Sequence, residues 1–264
     1  MIIIGERINS TRPEIQAAIK NRNVSFILKE AASQLKAGAD YIDVNCAQTS
    51  GDEVQDIDWV ISVIQSEIKD VNICIDSPNY LAIDRALNIY KAKGRVIINS
   101  ITGEEARIKK ILPLIMNHKA KVIALTMDER GMPKTASDRF EIAKVIVERA
   151  KSDVFNPEDL YIDPLVRPIS TEPTQVKEIL NSIPLIKSLG VKTILGLSNV
   201  SFGLPNRSLL NRTFLSMAIQ MGLDAAISDP LDKGIVSAIT ASNALLGLDE
   251  YCVDYIKAFR VGKL

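Results

Sequence analysis

The chain has 264 residues, 47% hydrophobic and 24% charged, which is enough for one large core and too apolar for a disordered chain. Lysine plus arginine and aspartate plus glutamate each total 32, giving a formal charge of zero, so no overall field draws it to nucleic acid or an anionic membrane. One histidine and three scattered cysteines with no Cys-x-x-Cys pair exclude a disulfide framework and a clustered zinc site, and no metal centre is expected.

The chain opens MIIIGERINS and has neither the basic segment and small-residue cleavage site of a secretory leader nor an apolar run long enough to span a bilayer. A cytoplasmic location is expected. The first β-branched run, 2–4, leads into Gly5-Glu6-Arg7-Ile8-Asn9; the second, 41–44, carries Asp43 and meets Asn45. Ile57, Val60, Ile61, Ile64 and Ile68 then share one helical face, with Asp56, Asp58, Glu67 and Lys69 pointing elsewhere. The runs 73–75, 96–98 and 122–125 meet Asp76-Ser77, Asn99-Ser100 and Thr126-Met127-Asp128. Phe140, Ala143, Val147 and Ala150 form a second helical face behind an expected cap at Ser137, and Asn156-Pro157-Glu158-Asp159 reads as another helix start. The runs 160–162, 193–197 and 225–227 bring up Asp163-Pro164, Gly196-Leu197-Ser198-Asn199 and Ser228-Asp229.

The eight runs start 23 to 39 residues apart, with Gly38, Gly94 and Gly190 at the joints; that spacing leaves room for one helix and two loops each time. Eight such units without a glycine- or serine-rich linker favour one domain over 1–264, a single TIM-type (β/α)8 barrel of the α/β class, over an open doubly wound sheet.

In such barrels the chemistry sits where the strands end. Ser100, Ser228 and Asp229 are expected to cap the helices that follow. Asp43 fits a structural partner of either Arg7 or a loop amide, and Met127 with Asp128 fits a pocket floor or an exposed turn equally well. Asp76, Asn99 and Asp163 each follow an apolar strand directly and are expected to point into one shared cup. Buried carboxylates there need donors, which a ligand rich in N–H groups would supply. The single histidine, His118, lies in a helical pattern before the fifth run, a surface or packing position.

IGERIN at 4–9, CIDS at 74–77, INS at 98–100, YIDP at 161–164, GLSNVS at 196–201 and NRTFL at 211–215, in that order, resemble the pterin-binding methyltransferases. Among these the resemblance is to enzymes that move a methyl group between methyltetrahydrofolate and a corrinoid/iron–sulfur protein. It covers nearly the whole chain and implies a barrel of the pterin-binding type in which Asp76, Asn99 and Asp163 hydrogen-bond the pterin. It also implies that Asn199 lies near N5 and moves on binding, Gly196 and Ser198 shape its loop, and Asp76 and Asn199 serve the reaction. Arg207 is a candidate for the carboxylates of the folate tail. The Asp-x-His-x-x-Gly cobalamin motif is absent, so the resemblance implies cobalamin carried by a separate corrinoid protein, no cofactor held tightly here, and a homodimer. Phe202-Gly203-Leu204-Pro205 departs from the more polar stretch of the family.

Two other readings stand beside it. Dihydropteroate synthase resembles the chain in barrel and cup, but its lysine after strand seven and its late Arg-x-His are missing, and 198–201 reads Ser-Asn-Val-Ser. A folate-binding subunit without turnover would use the same cup.

Overall fold

The computed structural model describes residues 1–49, 51–92, 94–150 and 156–264. Its parallel strands are β1 Ile2–Asn9, β2 Tyr41–Asn45, β3 Ile73–Asp76, β4 Val96–Thr102, β5 Lys121–Leu125, β6 Leu160–Asp163, β7 Lys192–Gly196 and β8 Ala225–Ser228. They close in chain order, with β8 pairing back onto β1. This is the expected TIM-type barrel. Helices α1 (Pro13–Lys20) and α2 (Val24–Ala37) both follow β1. Helices α3 (Glu53–Glu67), α4 (Tyr80–Ile89), α5 (Glu105–His118), α6 (Ala136–Ala150), α7 (Gln175–Lys187) and α8 (Arg207–Gln220) each fill one of the next six gaps. Helices α9 (Lys233–Leu245) and α10 (Val253–Arg260) finish the chain.

The strands are isoleucine-rich because both of their faces are buried. Alternate residues face helices, as Ile42, Ile75, Ile98 and Ile162 do. The others fill the barrel, where Ile4, Tyr41, Cys74, Ile97, Ile123, Tyr161, Ile194 and Ala225 form one cluster. With a side-chain period of two, the next inward positions toward the strand ends are Asp43, Asp76, Asn99, Leu125, Asp163, Gly196 and Ile227. The fold therefore sets an apolar plug directly beneath a ring of carboxylates and an amide.

Local chemistry departs from the sequence reading in four places. Asp56 is buried rather than outward, and meets Arg22 at 2.8 Å. Ser137 does not cap α6: the Thr135 hydroxyl accepts from the Asp138 amide at 3.1 Å and the Asp138 carboxylate accepts from the Thr135 amide at 2.9 Å, a reciprocal cap. Asn156 does cap Glu158, but the element is a single 3-10 turn, Pro157–Asp159. Strands β1 and β4 run on to Asn9 and Thr102, because their polar ends still pair with neighbours, Asn9 with Asn45 and Thr102 with Leu125. Gly38, Gly94 and Gly190 do sit at joints, with φ of +107°, +77° and +79°.

Candidate active site

Four arginines fasten the loops that carry the mouth ring. Arg107 of α5 donates to the carbonyls of Ser77, Pro78 and Ser100 at 2.7–3.1 Å, tying the ends of β3 and β4 together. Arg139 of α6 is fully buried and donates to the Pro164 carbonyl at 2.7 Å, the Gln175 side chain at 2.6 Å and the Thr135 carbonyl at 3.1 Å, which fixes the chain just beyond Asp163. Arg207 of α8 donates to the Ser198 carbonyl at 2.7 Å and the Ser201 hydroxyl at 3.0 Å, bracing the 3-10 turn Leu197–Ser201. Arg7 joins Glu30 of α2 to Asp229 after β8, both at 2.8 Å. Guanidinium groups suit this work because their planar fork reaches several acceptors at once.

Asp76 and Asn99 are register partners across β3 and β4, so their side chains leave the sheet on the same side. Asp76 accepts from Asn45 Nδ2 at 2.8 Å. Burial pushes its carboxyl above the ordinary range, with Glu53 adding to the rise and Asn45 opposing it. Asp163 is buried and accepts from the Leu165 amide at 2.7 Å; burial lifts its carboxyl to about 6 against the backbone amides of Leu165 and Gly196. Asp43 is also buried and its Oδ1 has no partner. Burial first, then Asp76, raises it well above its usual range, with the nearby Cys74 thiol and Asn99 amide opposing the rise.

Strand β1 shifts register between Gly5 and Ile8. Such a bulge re-aims side chains, and here Glu6 receives the Ser198 hydroxyl at 2.9 Å while Arg7 turns to Glu30 and Asp229. Gly5 leaves room behind it: a Cβ would stand 2.4 Å from Gln34 Oε1 and displace the atom that accepts from the Arg7 amide at 3.0 Å.

These carboxylates want neutral donors, and no basic side chain hydrogen-bonds Asp43, Asp76 or Asp163 among the described residues. Residues 5–229 match the family described as pterin binding enzyme. The chain belongs to that family. A methylcorrinoid:tetrahydrofolate methyltransferase of Eubacterium limosum is 36% identical over 269 residues, covering 100% of this chain and 98% of the relative. The methionine synthase of Mycobacterium tuberculosis is 30% identical over 86% of this chain, which spans only 20% of that protein. Among solved structures, a Yersinia pestis dihydropteroate synthase with a pterine–sulfa conjugate superposes with a TM-score of 0.71 at 16% identity, over 94% of this chain and 93% of that one. The Xanthomonas albilineans dihydropteroate synthase in complex with 7,8-dihydropteroate gives 0.69 at 18%, over 93% of each chain. At those identities the likeness is one of fold.

In this pterin-binding barrel Asp76, Asn99 and Asp163 each stand two residues beyond an inward side chain of the plug, Cys74, Ile97 and Tyr161, and Gly196 does the same beyond Ile194 on β7. Ser198 and Asn199 occupy the turn above. Asn199 is exposed, and its Nδ2 lies 3.2 Å from where a Cβ on Gly196 would sit, so glycine permits this approach. Arg207 is exposed and spends its donors on the Ser198–Ser201 turn. His118 ends α5, at the opposite end of the barrel from the mouth.

Several expectations are corrected. Asp43 does not pair with Arg7, which is taken by Glu30 and Asp229. Ser100, Ser228 and Asp229 do not cap the next helices: α5 begins after Glu104, and α9 is capped by Asp232, which accepts from the Gly234 amide at 2.9 Å. The buried Ser228 Oγ has no partner. Met127 and Asp128 belong to a turn closed by an Asp128–Gly131 bridge, with Asp128 paired to Arg130 at 2.7 Å. Glu6 was missed altogether. A groove of about 370 Å³ between α2, α9 and the C-terminal tail, lined by Lys36, Leu231, Lys233, Val236 and Lys263, has no carboxylate or amide side chain and lacks the chemistry of the mouth.

Proposed function

We propose that the chain moves the N5-methyl group between methyltetrahydrofolate and the cobalt of a separate corrinoid protein, working as one barrel domain over 1–264. The observation that carries this reading is the pairing of Asp76 with Asn99, with Asp163 at the inward end of β6 and Asn199 on the turn that follows β7. A pterin offers a ring N–H and an exocyclic amine beside a carbonyl. Carboxylates accept from the first two, and an asparagine both donates and accepts along the mixed edge. The full-length relative named for methyl transfer between a methylcorrinoid and tetrahydrofolate supports the same chemistry.

Asp76, Asn99 and Asp163 bind the pterin, Gly196 and Ser198 shape the loop over it, and Asp76 and Asn199 serve the transfer. A methyl on N5 leaves a tertiary amine, and a bare nitrogen anion is a poor leaving group. N5 therefore gains a proton or a strong hydrogen bond first. The C–N electron pair then stays on nitrogen, and the methyl passes as a formal cation to the acceptor. The Asn199 side-chain oxygen accepts from the N5–H and stabilises the cation that protonation creates, a charge absent from the resting substrate, which lowers the barrier more than it tightens binding. A reduced corrinoid supplies the nucleophile, and no Asp-x-His-x-x-Gly motif holds one in this chain. Its protein docks over the mouth, where Phe202, 64% exposed beside the Asn199 turn, offers an apolar contact. Arg207 braces the turn through Nε and Nη2, which leaves Nη1 for the carboxylates of the folate tail.

The dihydropteroate synthase reading is weaker, because Ser198 and Asn199 stand where that family places a lysine-bearing run. A homodimer is supported by α10, which buries no residue in the single chain and exposes Phe259 at 70%, and by Leu248 and Tyr251 in the segment before it, at 72% and 85% exposure. Free Cys46, Cys74 and Cys252 suit a reducing cytoplasm, and no described helix is long and apolar enough to cross a membrane.

The test mixes methyltetrahydrofolate with cobalt(I) corrinoid and follows cobalt absorbance with and without the chain. Methylcobalt formation only with the chain supports a transferase. Ligand binding with unchanged cobalt absorbance assigns a binding subunit instead.

A further inference from the structure

Glu6 is, with Asp43, a mouth carboxylate to which the pterin reading gives no work, and it alone of the two is joined to the segment on which that reading depends. Its Oε2 accepts from Ser198 Oγ at 2.9 Å, and Ser198 immediately precedes Asn199. The Leu197–Ser201 turn thus has three fasteners, one of them the Ile169 amide, which donates to the Val200 carbonyl at 3.1 Å. On the α8 side, Arg207 holds the Ser198 carbonyl and the Ser201 hydroxyl, and Ser201 donates to Asn211 Oδ1 at 2.7 Å. On the barrel side, the Glu6–Ser198 bond holds it. Of these, only the Glu6–Ser198 bond contains a group able to change charge near neutral pH.

We infer that Glu6 is a positioning residue that sets, through Ser198, where the turn holds Asn199: firmly as a carboxylate, loosely as the neutral acid. The inference rests on the assignment of Asn199 to the bound pterin. A carboxylate accepts from a hydroxyl more strongly than a neutral carboxyl does, so protonation frees the turn to close Asn199 onto the ligand.

The surroundings place this change in a usable range. Burial drives the Glu6 carboxyl to about 7; the Ser198 bond opposes the rise, Asp229 beyond β8 adds to it, and Arg207 of α8 and Arg12 of the loop after β1 oppose it. Asp43 on β2 also feels the Glu6 charge, and the neighbouring Arg7 is committed to Glu30 and Asp229. Since the folded value lies above the ordinary 4.5, the neutral acid persists up to about pH 7 and is lost above it. Closure of Asn199, and with it transfer and ligand affinity, declines through that window.

The experiment measures two quantities from pH 5.5 to 8.5 in the wild type, Glu6→Gln and Ser198→Ala. One is the single-turnover rate from saturating methyltetrahydrofolate to free cob(I)alamin; the other is the affinity for tetrahydrofolate by calorimetry. The wild type is expected to lose rate and affinity through an inflection near pH 7. Both variants are expected to lack that inflection, with Glu6→Gln staying within about threefold of the wild-type acid plateau. Asp163 titrates near 6 but is unchanged in all three proteins, so its contribution cancels. An inflection near 7 that survives in either variant overturns the inference, and so does a wild type without one. A wild type that binds tetrahydrofolate and transfers nothing overturns the transferase reading alone, and the affinity profiles still decide the role of Glu6.

Discussion

Replacing Asp163 by asparagine separates what the mouth costs the fold from what it gives the ligand. The carboxylate is buried, and burial lifts it from the ordinary 3.8 to about 6. A folded value above the unfolded one means that the group is neutral and harmless below about pH 4, and that stability is lost as pH rises through 6. That gap, at about 1.4 kcal/mol for each pH unit, makes ionised Asp163 a cost of about 3 kcal/mol at pH 8. Asparagine is nearly isosteric and its side-chain oxygen still accepts from the Leu165 amide, so Asp163→Asn is expected to gain most of that amount at pH 8 and only about 1 kcal/mol at pH 4.5. Urea denaturation of both proteins at the two pH values measures the difference, and contributions from all other carboxylates cancel in the subtraction. Methyltetrahydrofolate affinity should move the other way, weakening by about 1.5–3 kcal/mol, roughly tenfold to a hundredfold, as a charge-assisted bond is lost. A stability difference independent of pH, or unchanged ligand affinity, refutes the reasoning.

Asn199→Ala is expected to lower the single-turnover transfer rate more than it weakens methyltetrahydrofolate binding, and equal losses would reduce Asn199 to a binding residue. Arg107→Met removes the donor to three loop carbonyls; about 2–3 kcal/mol of stability should go with it, together with ligand affinity, as measured by denaturation and calorimetry. Exhaustive chelation of this subunit should leave transfer unchanged, since no group of potential metal ligands occurs among the described residues; a chelator-sensitive rate would point to a missed site. Phe259→Asp on the exposed α10 face should shift the mass measured by light scattering from dimer to monomer, and a monomeric wild type contradicts the dimer.

Much of this architecture can be read from residue types alone, because barrel strands combine two signals. Isoleucine-rich runs bury both faces, and the first polar residue in phase with the inward face marks the mouth, as Asp76, Asn99 and Asp163 do. Asp43 obeys the same phase, two residues beyond Tyr41, but the rim is also where capping residues gather, and composition does not separate a capping aspartate from one with an unsatisfied oxygen. Glu6 is two residues beyond Ile4, yet the register shift between Gly5 and Ile8 breaks the alternation that would have marked its direction. Only the Ser198 contact, 192 residues away in the chain, reveals where it points. Asp56 failed for a related reason: its partner Arg22 comes from the turn between α1 and α2, and a helical wheel cannot register that.

The central claim is that one flat bicyclic ring seats on Asp76, Asn99 and Asp163 in the barrel mouth. A crystal structure with methyltetrahydrofolate bound tests it most directly. The account predicts hydrogen bonds from the ring edge to all three side chains, with Asn199 drawn over N5. A ring seated elsewhere, for instance in the lysine-lined groove between α2 and α9, would contradict it.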